Sequence, residues 1–372
     1  MPLKSVRVFD LTRVLAGPLC TMMLGDLGAD VIKVERPGHG DETRGWGPPF
    51  DSQGQSAYFL SINRNKQSIA LDLDDARDVA LVRDLIARAD VVVENYLPGA
   101  LARRGLDAAS LIAAHPRLIW CTITGFGEES TRPGYDFVVQ AEQGWMAITG
   151  EPGSAPIKHG IALVDVIAGK DAAIAILGVL AARGLGAAPL PPATRRIVIS
   201  LAQSALAALV NVAQNALVSG QPASRWGNAH ANLVPYQLFT ARDQPIVIAV
   251  GNDGQWTTCA RALGLDSLAA DPVLATNAGR LAARERVVTT IAARVAERDA
   301  ADWIAVLNRA GVPCGRVRSV TEALAHSGAS PLTGVLPSVP GTVRLPPPAL
   351  DEHGARIRQL GWAAFATGAA GE

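Results

Sequence analysis

Val6-Arg7-Val8-Phe9-Asp10-Leu11-Thr12-Arg13-Val14-Leu15-Ala16-Gly17-Pro18 begins as an apolar, β-branched run and ends on a Gly-Pro pair. The run reads as a strand, and Gly17-Pro18 opens a helix over 16–27. A second strand, Asp30-Val31-Ile32-Lys33-Val34, completes a βαβ unit. Outward from it the same alternation continues, with a helix over about 75–89, a strand at 90–94, a helix over 99–114 and a strand at 118–123. Such a chain builds a parallel sheet with helices on both faces, so the expected fold class is α/β with a Rossmann-like large domain. Two Ala-rich helical stretches follow at about 164–183 and 201–219, parted by Gly184-Leu185-Gly186 and the run 189–192, which reads as an exposed connection. After Gln221-Pro222 the character changes to short strands at 235–239 and 246–250 and helices near 256–263, 280–296 and 300–310. The expected division is a large domain over 1–200, a linker helix over 201–225, a smaller α+β domain over 226–325 and a tail over 326–372 that pattern alone leaves unassigned.

Composition narrows the function classes. Of 372 residues 49% are apolar and 18% charged, which excludes a disordered chain and allows a large core. Lys plus Arg (34) equals Asp plus Glu (34), so the basic surplus of a nucleic-acid binder is missing. Cys20, Cys121, Cys259 and Cys314 lie far apart without a CxxC pair and read as reduced thiols of a cytoplasmic protein. The first residues carry no export signal, and the apolar stretch 161–182 is interrupted by Asp165, Lys170 and Asp171, as suits a buried helix and not a membrane span.

Three features bear on chemistry. Glu35 stands where a ribose-binding acid would follow a βαβ unit, but the turn Thr12 to Pro18 holds one glycine in place of GxGxxG, which argues against a dinucleotide. Asp165 precedes the small-residue segment Val166-Ile167-Ala168-Gly169. It can be an N-cap, or, with the helix dipole keeping it ionised and Gly169 admitting a ligand, a covalent nucleophile. The six histidines form no HxxxH or HExxH face, and no GxSxG elbow occurs, so neither a metal centre nor a serine hydrolase is expected.

Taken together, the blocks Leu11 to Pro18, Leu27 to Gly38 with Gly40-Asp41, Asn63 to Ile69, Val93-Glu94-Asn95-Tyr96-Leu97-Pro98-Gly99, Gly134-Tyr135-Asp136 and Asp165 resemble the family III CoA-transferases of the CaiB/BaiF group. The resemblance runs over roughly residues 5–350. It implies a C-terminal stretch that returns to the large domain and an interlocked homodimer. No permanently bound cofactor is implied, and a coenzyme A thioester is the substrate. Carried over by position, it implies CoA contacts from Val14, Ala16, Arg36, Leu71, Asn95, Arg103 and Tyr135, with Asp165 attacking the donor thioester. Arginine forks suit the phosphates of CoA. The turn Gly251-Asn252-Asp253-Gly254-Gln255 resembles the family's glycine-rich covering loop, with Asn252 and Asp253 replacing glycines.

Leu15 stands where the formyl-CoA and oxalate enzyme has a glutamine, which disfavours an oxalate specialist. An α-methylacyl-CoA racemase is the main rival within the fold, but Tyr135 stands in the region of its histidine base. A CoA-binding protein without turnover is a further alternative. Gly45 to Phe50, Ser61 to Lys66 and Arg225 to His230 look most like the succinyl-CoA and glutarate type. The implied partners are then an acyl-CoA, succinyl-CoA above all, and a carboxylic acid. If that acid is dicarboxylic, Arg44, Arg64 or Arg132 could meet its far carboxylate.

Overall fold

A computed structural model describes residues 1–186 and 188–369. Ala187, within the expected large domain, and 370–372, the end of the expected returning tail, lie outside the described residues. The strands of the larger unit are β1 (Arg7–Leu11), β2 (Asp30–Glu35), β3 (Lys66–Ala70), β4 (Val91–Glu94), β5 (Ile119–Thr124) and β6 (Arg196–Ser200). Among the described residues these six form one sheet in the order β3-β2-β1-β4-β5-β6, every pairing parallel. Strand order reverses between β1 and β4, and in open sheets of this kind ligands bind outside the carboxyl ends of the strands at that point.

Side chains alternate between the two faces of each strand. Val8, Val31, Val91, Val93 and Ile119 join one core with Cys20 and Leu24 of the helix Ala16–Asp26 and with Ala168, Ala172 and Ile176 of the long helix Leu163–Leu185. Phe9, Ile32, Val34, Val92 and Trp120 join a second core with Val82, Leu85 and Ile86 of the helix Ala76–Ala87 and with Ile357. Burial on both faces explains the near-continuous apolar runs such as Val91-Val92-Val93.

The long helix and the helix Ala16–Asp26 meet at Gly169, where a Cβ would stand 2.6 Å from the Ala16 carbonyl oxygen. The space expected to admit a ligand is therefore filled by backbone, and Gly169 serves helix packing.

The tail belongs to this unit. Residues 1–145, 158–221 and 326–369 group together, and 146–157 with 222–325 form the second unit. Asn65 Oδ1 accepts from the backbone of Arg344 and Leu345, His353 N donates to Ser68 O, and Trp362 Nε1 donates to Leu85 O at 2.9 Å. The second unit holds the antiparallel sheet β7 (Tyr236–Thr240), β8 (Pro245–Ala249), β9 (Cys314–Arg316), packed on Trp256, Val287, Ile291, Trp303 and Leu307.

Three expected helices are divided. The stretch 99–114 becomes a short turn over 102–104 and a helix Ala108–Ala114, parted at Gly105 with φ +74°. The stretch 201–219 becomes Leu201–Ala207 and Val210–Ser219, bent by 70°, so the expected linker is a helix pair grouped with the larger unit through Gln221. The stretch 280–296 becomes Asn277–Ala282 and Arg284–Val295. Among the described residues no single helix is long and apolar enough to cross a membrane.

Candidate active site

The turn between β1 and the first helix is held by side chains from three other segments. Asn95, just past β4, accepts from Arg13 N at 3.0 Å and donates to Arg13 O at 2.8 Å. Lys33 donates to Thr12 O at 2.9 Å, and Asp41 accepts from Val14 N at 3.3 Å. With its peptides so fixed, Val14 sits at φ +69°, a conformation that a β-branched residue adopts only at a cost of about 1–3 kcal/mol.

Beneath the turn lies a buried ionic band on one face of the sheet. Lys66 Nζ reaches Asp10 at 3.0 Å, Asn63 at 2.9 Å and Pro18 O at 2.9 Å, and Lys33 pairs with Asp41 at 2.9 Å. Burial pushes Asp10 up, but Lys66 and Lys33, with the Thr12 and Thr21 hydroxyls, outweigh it and bring the carboxyl down to about 2. Removing one partner of such a pair costs about 3–5 kcal/mol, because the other charge is left buried alone.

Asp165 lies in the first turn of the long helix, whose N-cap is Ala162 without a side-chain bond. The N-cap reading of Asp165 is thus corrected, for the carboxylate that serves this helix end is Asp136. Asp136 Oδ1 accepts from Val164 N at 2.8 Å and Asp165 N at 3.3 Å, and its Oδ2 accepts from Gln140 Nε2 at 2.6 Å. The carboxylate of Asp165 has no hydrogen-bond donor among the described residues, and the residue is only 8% exposed. Burial, and then the neighbouring Asp136 charge, push its carboxyl from 3.8 up to about 7. The helix dipole favours the anion, but desolvation wins here.

A cleft of about 240 Å³ joins these pieces. Its walls include Val14, Leu15 and Ala16 after β1, Asn95 to Pro98 after β4, Gly125 after β5, then Arg132, Tyr135 and Asp165. Gly125 and Gly134 touch backbone to backbone, since a Cβ on Gly134 would lie 2.2 Å from the Gly125 Cα. That contact sets Tyr135 and Asp136 beside the end of β5. No histidine is among the residues that line this cleft.

A second cleft, about 620 Å³, runs past the ends of β2 and β3 and shares Arg13, Glu42 and Tyr96 with the first. Arg36 and Leu71 line it. Arg36 is exposed and makes no ion pair among the described residues, whereas Leu71 is 2% exposed and can offer little beyond its backbone. Of the seven expected CoA contacts, Val14, Ala16, Asn95 and Tyr135 thus fall in the first cleft and Arg36 and Leu71 in the second. Arg103 lines neither, and its neighbour Arg104 lines the second while paired with Asp74.

Sequence reasoning gave no role to Asp136 or to Tyr58. Burial and then the charges of Asp165, Asp136 and Asp41 raise the Tyr58 hydroxyl to about 12, which sets it in the field of the same carboxylates. In the second unit, Asn252 caps the helix Asp253–Ala262 through Gln255 N, Gly251 N donates back to Gln255 Oε1, and Asp253 pairs with Arg280 at 2.8 Å. The polar replacements in the expected covering loop therefore brace a helix start.

Comparison with known proteins gives the family. The family model described as CoA-transferase family III matches residues 3–353. Succinyl-CoA:glutarate CoA-transferase of Mus musculus is 42% identical over 378 residues, 95% of this chain and 84% of the relative. Succinate--glutarate CoA-transferase of Agrobacterium fabrum is 42% identical over 335 residues, 87% of this chain and 82% of the relative. The crystal structure of a CAIB/BAIF family protein from Brucella suis superposes with a TM-score of 0.81 at 39% identity, covering 96% of this chain and 99% of that one. The chain belongs to CoA-transferase family III, and it is an enzyme that transfers coenzyme A.

Proposed function

We propose that the enzyme moves CoA from succinyl-CoA to a dicarboxylic acid of the glutarate type, with Asp165 as covalent nucleophile. The observation that carries the nucleophile is a buried carboxylate, without hydrogen-bond donors among the described residues, on the wall of the cleft at the strand-order reversal. A desolvated anion is reactive, and a site that keeps water out protects the activated acyl groups it forms. The substrates follow from relatives named for succinyl-CoA and glutarate.

In this reading Asp165 Oδ attacks the succinyl-CoA carbonyl carbon, the C–S bond breaks, and CoA thiolate leaves a mixed anhydride on Asp165. The thiolate attacks the Asp165 acyl carbon, succinate departs, and an aspartyl-CoA thioester remains. The acceptor carboxylate then attacks that thioester and expels the thiolate again. Attack of the thiolate on the acceptor acyl carbon gives the new CoA ester and restores the Asp165 carboxylate. Each step exchanges one activated acyl group for another, so neither water nor ATP enters. The nucleotide end of CoA lies along the second cleft by Arg36 and Leu71, and the thioester reaches the first past Asn95 and Tyr135. Arg103, outside both clefts, serves the exposed phosphates.

Two chains associate as an interlocked homodimer, a reading supported by the exposed apolar side chains Leu206, Val210, Leu217 and Val218 on the helix pair after β6. The cytoplasm suits the four unpaired thiols. The racemase alternative gains nothing from a first cleft whose lining includes no histidine base.

Incubation with succinyl-CoA and glutarate, followed by mass spectrometry, should show glutaryl-CoA. Asp165→Ala should lower kcat by at least about 10³-fold while CoA still binds. Glutarate labelled with ¹⁸O in its carboxylates should leave label on Asp165 and in released succinate. Full activity in Asp165→Ala would overturn the nucleophile assignment, and absence of any new CoA ester would overturn the substrates.

A further inference from the structure

A dicarboxylic acceptor needs a cation for the carboxylate that does not react, and the structure separates the three arginines that could supply it. Arg44 makes four hydrogen bonds, two to Glu35 at 2.7 Å, one to Gln55 at 3.0 Å and one to Pro348 O at 3.1 Å, and it lies over Phe59. Arg64 also makes four, two to Asp26 and one each to the carbonyls of Thr333 and Val335. A guanidinium has five N–H donors, so both are almost fully engaged, and neither lines the cleft of Asp165.

Arg132 differs from both in place and in engagement. It lines that cleft, its side chain is 58% exposed, and its one hydrogen bond from the guanidinium among the described residues is Nη2 to Glu142 at 2.6 Å. The guanidinium lies over the Phe126 ring at 4.3 Å, which orients the plane and leaves an edge for a second carboxylate. Arg13 shares the cleft but sits where the two clefts join, paired with Glu42 and over the Tyr96 ring, on the course proposed for CoA itself.

We infer that Arg132 binds the far carboxylate of the acid and so selects dicarboxylic over monocarboxylic substrates, with Glu142 as the competing anion that the substrate displaces or shares. The inference rests on the proposed transfer to a dicarboxylic acid.

The test compares glutarate with pentanoate, which has the same carbon count and no far carboxylate. Each is measured as acceptor by kcat and KM, with pentanoate also measured as a competitive inhibitor. Arg132→Ala should raise KM for glutarate about 10- to 100-fold with little change in kcat, and leave the pentanoate constants within about 2-fold. Arg132→Lys should recover part of the loss. Glu142→Gln should lower KM for glutarate a few-fold, a change in the opposite direction that a purely structural role of the pair would not produce. Unchanged glutarate KM in Arg132→Ala, or equal losses for glutarate and pentanoate, would overturn the inference while CoA transfer stands. A wild type that makes no glutaryl-CoA at all would overturn the proposed substrates and the inference with them.

Discussion

Asp165 joins a position that favours an anion, the first turn of a long helix, to surroundings that oppose one. The outcome is a carboxyl that titrates near 7, and its sign gives a direct expectation. If the ionised form attacks, kcat/KM for the acyl-CoA should rise about tenfold per pH unit below 7 and level off above about 8. A profile from pH 5 to 9 checks it, and a rate already level from pH 5 upward would refute the raised carboxyl. Asp165 stands out in the sequence before a small-residue helical segment, but that pattern fits a cap as well as a nucleophile, and only the family resemblance favours the second. Asp136 was not, since its part depends on a contact with a backbone 28 residues further on, which no local pattern encodes. Val14 was equally hidden as a strained residue, because its left-handed backbone is imposed by Asn95 and Asp41 from other segments.

At the scale of elements, the site depends on how the start of the long helix is tied to the segment after β5. Asp136→Asn keeps an acceptor for the Val164 and Asp165 amides but removes the charge. The acid limb of the pH profile should therefore move to lower pH, while burial keeps it above the ordinary carboxylate range. Gly134→Ala forces a Cβ into the Gly125 backbone, and should cost about 1–3 kcal/mol by thermal melting together with most of the activity, as Tyr135 and Asp136 are pushed off the end of β5. The βαβ alternation was legible wherever strands are apolar on both faces. β3 was not, because Lys66-Gln67-Ser68 reads as a polar loop, although all three are buried against the ionic band and the tail. β6 escaped for a different reason, following a proline-rich run that signals a connection.

For the whole molecule, the raised Asp165 carboxyl makes stability depend on pH. The unfolded chain ionises this group near 3.8, whereas the folded protein holds its proton until about 7. Stability from the protonated form is therefore complete below pH 4 and lost as pH rises through 7. Asp165→Asn, which stays neutral, should match the wild type at pH 4 and exceed it at pH 8, with a gap on the order of 1.4 kcal/mol for each pH unit between the two values. Chemical denaturation at both pH values measures it, and an equal gap at both would refute the linkage.

The tail has a consequence of another kind. β3 ends the large sheet, and its outer edge is covered by residues from the far end of the chain: Asp351 accepts from Ala70 N at 2.7 Å, and His353 N donates to Ser68 O at 3.0 Å. During synthesis the strand emerges from the ribosome some 280 residues before its cover does. In that interval the sheet edge offers unpaired amides and carbonyls to any neighbouring nascent chain. The second unit, over most of 222–325, can meanwhile complete its own core. Vectorial production thus leaves the larger unit with an open sheet edge until residues 351–353 have been made.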